Sequence, residues 1–208
     1  LLIFMTKKFV IDGAFGSGKT TILFGRGSEE PLDTHHDCLK DRGFNVLREA
    51  CSIALHSVKD EELPLIENLD EIFRRLTEIE IERYFRMQDD KTTFQERGLL
   101  AYEVIAQKLG ATLPPNFYKY VDIIQYDGPI IMLEPISSFD MSKQRQSAHE
   151  LRVATYEERI EMHRAMISLY REKGYDVVEI AENLPISPET SDPFSLRVNE
   201  ILKETMKR

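Results

Sequence analysis

The sequence predicts an α/β protein of three layers, in which a central parallel sheet of about five strands lies between helices. Short apolar runs typical of buried strands alternate along the chain with segments whose apolar residues recur every three or four positions, as in amphipathic helices. Strands that alternate with helices pair in parallel, so their carboxyl ends share one edge of the sheet, where ligands of such folds bind. The predicted strands are residues 8–12, 44–47, 91–95, 130–133 and 175–180.

A glycine-rich run at residues 13–20 joins the first predicted strand to a helix and matches G-x-x-x-x-G-K-T at every fixed position. Its glycines let the backbone wrap around phosphate groups, so that the N–H groups of residues 16–18 converge on them. Lys19 would bridge the β- and γ-phosphates, and Thr20 would offer its hydroxyl to Mg²⁺. We therefore expect ATP or GTP with Mg²⁺ as cofactors. The predicted nucleotide-binding residues are Gly13, Ala14, Phe15, Gly16, Ser17, Gly18, Lys19, Thr20 and Thr21.

The helix after this run is expected to be short, because two glycines and a proline lie within residues 25–31. A second short helix is predicted to begin at residue 33 or 34 and to end at Arg42. Thr155 and Glu158 have the spacing of a capping box and predict the start of a helix that Gly174 ends. Two further helices are predicted at residues 65–87 and 99–109, and a last helix is predicted to begin at residue 193. The two prolines at residues 114–115 predict a loop.

The chain has 208 residues and a mass of 24.2 kDa, and we expect a single domain over residues 1–208, with residues 1–6 outside its folded part. A net charge of −9 argues against binding of duplex nucleic acid, which needs a basic surface. Cys38 and Cys51 match no metal or redox pattern, so free thiols in a reducing compartment, the cytoplasm, are expected. No apolar stretch is long enough to predict a transmembrane segment. The oligomeric state is left open.

The run His35-His36-Asp37-Cys38 contains four potential metal ligands. Adjacent residues of a helix point in different directions, and in the predicted helix only His35 and Cys38 would share a face. A solvated helix face is therefore the expected interpretation, with a metal cluster as the alternative.

Three glutamates directly follow predicted strands, which is where catalytic carboxylates of such a fold lie. They are Glu49, Glu96 and Glu134. One such carboxylate would hold the water shell of Mg²⁺, and a second would position an attacking hydroxyl or water. The pattern alone does not rank the three residues.

The chain resembles the P-loop ATPases related to the ribosylnicotinamide kinase domain, a branch that is grouped with AAA-domain proteins but built like the nucleotide kinases. The resemblance extends from Phe9 to about Leu202 and rests on short motifs in a fixed order. These motifs are GAFGSGKTT at residues 13–21, VLREA at residues 46–50, ERG at residues 96–98 with Ala101-Tyr102 after it, and GYDVV at residues 174–178.

This resemblance implies a P-loop NTPase fold of the nucleotide-kinase type. It implies that Glu49 faces the acceptor and that the pair Glu96-Arg97 replaces the family's usual Asp-Arg pair, so that Glu96 joins Thr20 as a metal ligand. The longer glutamate moves the carboxylate by one methylene. Glu134 then ranks third among the three glutamates.

The resemblance also implies a lid-like segment at residues 136–154, which contains Asp140, Lys143, Arg145 and Arg152. A closing lid would exclude water from the site. It would also bring cations close to the negative charge that builds on the transferred phosphoryl group. Arg145 and Arg152 suit this role better than Lys143, because one guanidinium can bind two oxygens. The predicted catalytic residues are Lys19, Glu49, Glu96, Arg97, Arg145 and Arg152.

The function that these residues predict is ATP-dependent phosphoryl transfer to a small hydroxyl-bearing acceptor such as a nucleoside or a nucleotide. The alternative is a nucleotide-bound switch or scaffold that hydrolyses slowly and acts through a partner. The sequence leaves open the identity of the acceptor and the choice between ATP and GTP.

Overall fold

The computed structural model describes residues 7–25, 36–51, 54, 68–86, 91–138, 155–184 and 192–206. Its centre is a sheet of five parallel strands in the order β2-β3-β1-β4-β5, which confirms the predicted α/β fold and all five predicted strands. The strands are β1 (Lys8–Asp12), β2 (Asn45–Leu47), β3 (Thr93–Glu96), β4 (Ile130–Leu133) and β5 (Val177–Ile180).

The middle of the sheet is buried on both faces, because alternate residues of its central strands point into two different apolar cores. On β1, Val10 belongs to one core, and Phe9 and Ile11 belong to the other. The residues of β4 alternate in the same way. This two-sided burial explains why these strands read in sequence as continuous apolar runs.

The helices that cover the sheet are α1 (Lys19–Phe24), α2 (Leu69–Arg86), α3 (Ala101–Leu109), α4 (Phe117–Ile123), α5 (Tyr156–Glu172) and α6 (Pro193–Met206). Apolar residues of α2, α3, α4 and α5 form one core with the sheet, and those of α1 and α6 form the other. Helix α1 ends early at Gly25, as predicted, with this glycine in the left-handed conformation. In the described part of the chain, no helix is long and apolar enough to cross a membrane.

The prediction of a short helix ending at Arg42 is wrong for its described part, because residues 36–43 contain turns instead. The backbone N–H groups of Leu39 and Lys40 donate to the carbonyls of Ile22 and Leu23 in α1. Burial of Leu39 and these tertiary hydrogen bonds compete with the local hydrogen bonds that a helix would need.

Helix α4 follows the predicted loop at residues 114–115 and was not predicted from the sequence. Residues 114–116 are not helical, so the loop prediction is confirmed. The N–H of Phe117 donates to the carbonyl of Pro114. Phe117 and Val121, four residues apart, are both buried and give α4 an apolar face.

Several sequence predictions concern residues outside the described part of the chain. They include residues 1–6, residues 26–31 of the predicted loop, the predicted helix start at residues 33–35 and residues 139–154 of the predicted lid. Cys38 and Cys51 form no disulfide bond, as predicted.

The capping box at the start of α5 yields a stability prediction. The hydroxyl of Thr155 accepts from the N–H of Glu158 at 3.2 Å, and the carboxylate of Glu158 accepts from the N–H of Thr155 at 2.8 Å. We expect Thr155→Ala to lower the free energy of unfolding by about 1 kcal/mol in urea titrations, because one N–H loses its acceptor. Thr155→Ser keeps the oxygen and should retain most of this stability. Equal losses in the two variants would contradict the capping role.

Candidate functional site

The strand order brings the predicted site residues to neighbouring positions at one edge of the sheet. Glu49 follows β2, Glu96 is the last residue of β3, and the glycine-rich run at residues 13–20 follows β1. Since β3 lies between β2 and β1, Glu96 is placed between Glu49 and the glycine-rich loop. Three separate segments of the sequence therefore meet in one cleft.

The glycine-rich loop, which we call the P-loop (residues 13–18), begins in a conformation that requires glycine. Gly13 has a φ of 139°, and a side chain there would collide with the carbonyl oxygen of Leu133. The ammonium of Lys19 donates to the carbonyls of Gly13 and Ala14 at 3.0 and 3.1 Å. Burial lowers the pKa of Lys19 to about 8, and the nearby charge of Arg97 acts in the same direction.

Thr20 and Glu96 present oxygen atoms side by side. The hydroxyl of Thr20 donates to Oε1 of Glu96 at 2.7 Å, and the N–H of Glu49 donates to Oε2 at 3.2 Å. Burial raises the pKa of the Glu96 carboxyl, and the neighbouring Glu49 raises it further. A half-buried hydroxyl and a buried carboxylate in contact are hard oxygen donors of the kind that Mg²⁺ accepts, so these residues fit the predicted metal.

Arg97 connects the three segments of the site through its buried guanidinium. Its Nε donates to Glu49 at 2.7 Å, and its Nη1 donates to Asp12 at 3.2 Å. The rings of Phe15 and Tyr102 lie at 5.5 and 5.9 Å from its guanidinium carbon. The remaining nitrogen, Nη2, is buried and has no hydrogen-bond partner in the described part of the chain. Arg97 thus keeps one donor for a further acceptor.

Asp12 is a buried residue of the site that the sequence analysis did not identify. Its carboxylate accepts from the N–H groups of Gly13 and Gly98 at 2.8 and 3.2 Å, and from the hydroxyl of Tyr170 at 2.7 Å. Together with Arg97, these donors use both of its oxygens. A charged residue at the end of an apolar strand was the available signal, but its partners are far away in sequence.

A polar network behind the site holds the backbone of Arg97. This residue has a φ of 68° and is the one non-glycine residue with a positive φ in the described part of the chain. The amide of Gln95 donates to the carbonyl of Arg97 at 2.9 Å and to Glu80 of α2 at 2.6 Å. Tyr102 donates to the same carboxylate at 3.3 Å. Burial raises the pKa of Glu80 to about 8.

Glu134, the third glutamate, lies at the end of β4 and makes different contacts. Its Oε2 accepts from the N–H of Glu182 at 2.9 Å, and Glu182 in turn accepts from the N–H and hydroxyl of Ser137. These bonds connect the loops after β4 and β5. Glu134 is therefore separate from the contacts that join Glu49, Glu96 and Arg97.

The predicted lid residues Asp140, Lys143, Arg145 and Arg152 lie outside the described part of the chain, so their roles stay predictions. The described start of α5 instead brings Arg159 to the P-loop. This buried arginine donates to the carbonyls of Ile136 and Phe15 at 3.2 and 3.5 Å. No local motif marks Arg159, because its partners are backbone groups of distant segments.

Three of the four potential metal ligands at residues 35–38 lie in the described part of the chain. His35 lies outside the described residues, and in the described chain no group of three or more His, Cys, Asp or Glu residues could hold a metal ion. Asp37 pairs with Arg42, while His36 lies 3.3 Å from Asp192. Asp37 thus contacts a residue of its own segment, and His36 contacts a residue far away in sequence.

Comparison with known proteins identifies the family. The sequence model described as "AAA domain" matches residues 8–185, which include the P-loop, Glu49, Glu96 and Arg97. The chain belongs to this AAA-domain family. No curated protein matches its sequence.

Two solved structures resemble this member of the AAA-domain family in fold. The NadR protein in complex with NR superposes with a TM-score of 0.62 and 15% sequence identity. The superposition covers 97% of this chain and 51% of the NadR chain. The chain thus spans about half the length of the NadR chain. Deoxyadenosine kinase from M. mycoides with bound dATP has a TM-score of 0.54 and 15% identity, covering 95% of this chain and 98% of its own. The fold is therefore the kinase-like P-loop fold that the resemblance implied.

The buried Glu80 of this AAA-domain protein predicts a pH-dependent stability. Its pKa of about 8 in the folded state exceeds the value of 4.5 for an ordinary glutamate. The folded state therefore holds a proton that the unfolded state releases between these values, and stability should fall as the pH rises through this interval. We expect Glu80→Gln to reduce this fall by about 1 kcal/mol or more, since its side chain does not ionise.

Urea unfolding at pH 5, 7 and 9 measures this effect. Glu82→Gln, at an exposed position of the same helix, is the matched control and should follow the wild type. Parallel stability profiles for Glu80→Gln and the wild type would contradict the role assigned to Glu80.

Proposed function

We propose that this protein is an ATP-dependent phosphotransferase that uses Mg²⁺ and transfers the γ-phosphoryl group to a small hydroxyl-bearing acceptor. The observation that carries the proposal is the buried cluster of Glu49, Glu96 and Arg97 beside the P-loop. Two carboxylates and a guanidinium with a spare donor are more than nucleotide binding alone requires. They suit a reaction in which a proton leaves one oxygen while negative charge moves to another.

The P-loop and Lys19 would bind the phosphates. With a nucleotide present, the ammonium of Lys19 would exchange its contacts to the carbonyls of Gly13 and Ala14 for phosphate oxygens. Such charge-assisted contacts are stronger than those to neutral carbonyls. The dATP bound to the deoxyadenosine kinase, a protein of the same fold, supports a nucleoside triphosphate as the ligand.

Thr20 and Glu96 would hold Mg²⁺, directly or through its water shell. The ion would neutralise charge on the phosphate oxygens. The hydrogen bond between Thr20 and Glu96 keeps both oxygens on the P-loop side of β3, and the N–H of Glu49 fixes the second carboxylate oxygen of Glu96. Glu96 is therefore oriented before any ligand arrives.

Glu49 would accept the proton of the acceptor hydroxyl. As this proton leaves, the hydroxyl oxygen would bond to the γ-phosphorus, and the bond between the γ-phosphorus and the oxygen that stays with ADP would break. Arg97 holds Glu49 in place through Nε, while its Nη2 is available for an oxygen of the acceptor or the phosphoryl group. A narrow, mostly apolar cleft lined by Phe15, Cys51 and Tyr102 adjoins Glu49. The acceptor would approach from this cleft.

Acceptor-stimulated formation of ADP tests the proposal. Purified protein with Mg-ATP should release ADP faster when the correct nucleoside or nucleotide from a panel is added, and that compound should gain a phosphate. ATP binding with slow hydrolysis that no member of the panel stimulates would favour the regulatory switch or scaffold.

The first prediction for this site concerns binding. We expect Lys19→Ala to weaken binding of ATP by about tenfold to a hundredfold in calorimetry, because a charge-assisted contact contributes about 1.5–3 kcal/mol. Lys119→Ala, which removes an exposed lysine of α4, is the control and should bind as the wild type does. Unchanged affinity in the Lys19 variant would contradict the assignment of the phosphate site.

The second prediction separates the three glutamates by turnover. Glu49→Gln and Glu96→Gln should lower kcat by about a hundredfold or more with smaller changes in ATP affinity, since both carboxylates act at the reacting centre. Glu134→Gln is the matched control, because an amide oxygen can still accept from the N–H of Glu182. If Glu134→Gln alone abolished turnover, the roles of the glutamates would have to be reassigned.

A further inference from the structure

Each backbone carbonyl of the P-loop accepts a hydrogen bond from a donor that is not one of the N–H groups of residues 16–18. The carbonyls of Gly13 and Ala14 accept from Lys19, that of Phe15 from Arg159, that of Gly16 from the N–H of Ile136, that of Ser17 from Arg197 and that of Gly18 from the N–H of Ile22. The described chain has no cis peptide bond, so each carbonyl points away from the N–H of the next residue. A donor on the carbonyl of Ser17 therefore fixes the direction of the N–H of Gly18.

Arg197 makes the shortest of these contacts and comes from the C-terminal helix, far from the P-loop in sequence. Its Nη1 donates to the carbonyl of Ser17 at 2.6 Å. Its Nη2 and Nε donate to the carbonyls of Glu134 and Ala181 at 2.9 and 3.1 Å. One guanidinium thus joins the P-loop to the ends of β4 and β5.

The positive charge of Arg197 is not paired with an acidic group in contact with it. Arg197 is only 2% exposed, and in the described part of the chain no carboxylate pairs directly with its guanidinium, although the nearby charges of Glu182 and Glu134 raise its pKa against the effect of burial. Burial lowers its pKa to about 10, so it is still a cation at neutral pH. A buried cation that is neutralised by no direct partner raises the electrostatic potential of the adjacent loop.

We propose that Arg197 is a positioning residue for nucleotide phosphates, which acts through the Ser17–Gly18 peptide without touching the ligand. Its hydrogen bond to the carbonyl of Ser17 holds the N–H of Gly18 toward the phosphate cradle and polarises that peptide group. A phosphate would accept a hydrogen bond from the N–H of Gly18, while Arg197 donates one to the carbonyl of Ser17. Because both bonds polarise the same peptide group, each strengthens the other. The inference rests on the proposed nucleotide site. It identifies Arg197 as a residue that raises the affinity of this site for the nucleotide phosphates.

Binding of ATP and of inorganic tripolyphosphate to matched variants tests this role. Arg197→Gln keeps a neutral donor, and Arg197→Lys keeps the charge. Lys203→Ala, which removes an exposed ion pair on the same helix, is the control. Dissociation constants come from calorimetry, with tripolyphosphate also measured by competition against ATP, and urea unfolding measures stability separately.

We expect Arg197→Gln to bind ATP and tripolyphosphate about tenfold more weakly and by the same factor, because the loss concerns phosphate alone. Arg197→Lys should recover most of this loss, and Lys203→Ala should match the wild type. A weaker affinity for ATP with unchanged affinity for tripolyphosphate would assign Arg197 to the base side of the site and overturn the inference. Equal weakening in the Gln and Lys variants would also overturn it.

A measurement on the wild type keeps the inference testable if a variant does not fold. ATP should slow the exchange of the guanidinium protons of Arg197 with water, as seen by NMR, because phosphate binding strengthens the bond to Ser17. Unchanged exchange with ATP bound would overturn the inference but leave the proposed function intact. A wild type that binds no ATP would overturn both.

Discussion

The site depends on a buried ion pair between Asp12 and Arg97, which joins the ends of β1 and β3 at 3.2 Å. Asp12 directly precedes the P-loop, and Arg97 directly follows Glu96 and holds Glu49. Removal of either partner would leave an uncompensated charge in the interior, which costs several kcal/mol. The pair therefore connects the residue before the P-loop to the residue that follows Glu96 and holds Glu49.

The chain turns sharply at the ends of β1 and β3. Positive φ values produce this turn both at the glycines of the P-loop and at Arg97. Side chains must leave the strand ends sharply to point into the cleft, and a positive φ produces such a turn. Glycine adopts it readily in the P-loop, whereas at Arg97 the strain is offset by the hydrogen bond from Gln95 to its carbonyl. Gln95 is in turn held by the buried Glu80, so a helix on one face of the sheet supports the turn.

The sequence predicted the fold and the P-loop well, because both depend on local patterns. All five strands were predicted, although residues 91–95 form a weaker pattern with a single apolar residue, and the capping box of Thr155 marked the start of its helix. Asp12, Arg159 and Arg197 were missed, since their partners are backbone groups or side chains that only tertiary folding brings near. Helix α4 was missed because its seven residues are too few to show a clear helical period in the sequence.

The buried charges of the site divide into two halves, and this division favours transfer over simple nucleotide binding. Lys19, Arg159 and Arg197 surround the P-loop, so that side is cationic and suits phosphate. Glu49 and Glu96 lie on the β2 side, where burial and then the neighbouring Glu49 raise the pKa of the Glu96 carboxyl, so that ionising both groups costs free energy. A scaffold that only binds nucleotide gains nothing from this cost. A phosphotransferase does, because one carboxylate would hold a metal ion and the other, which Arg97 holds through Nε, would take a proton.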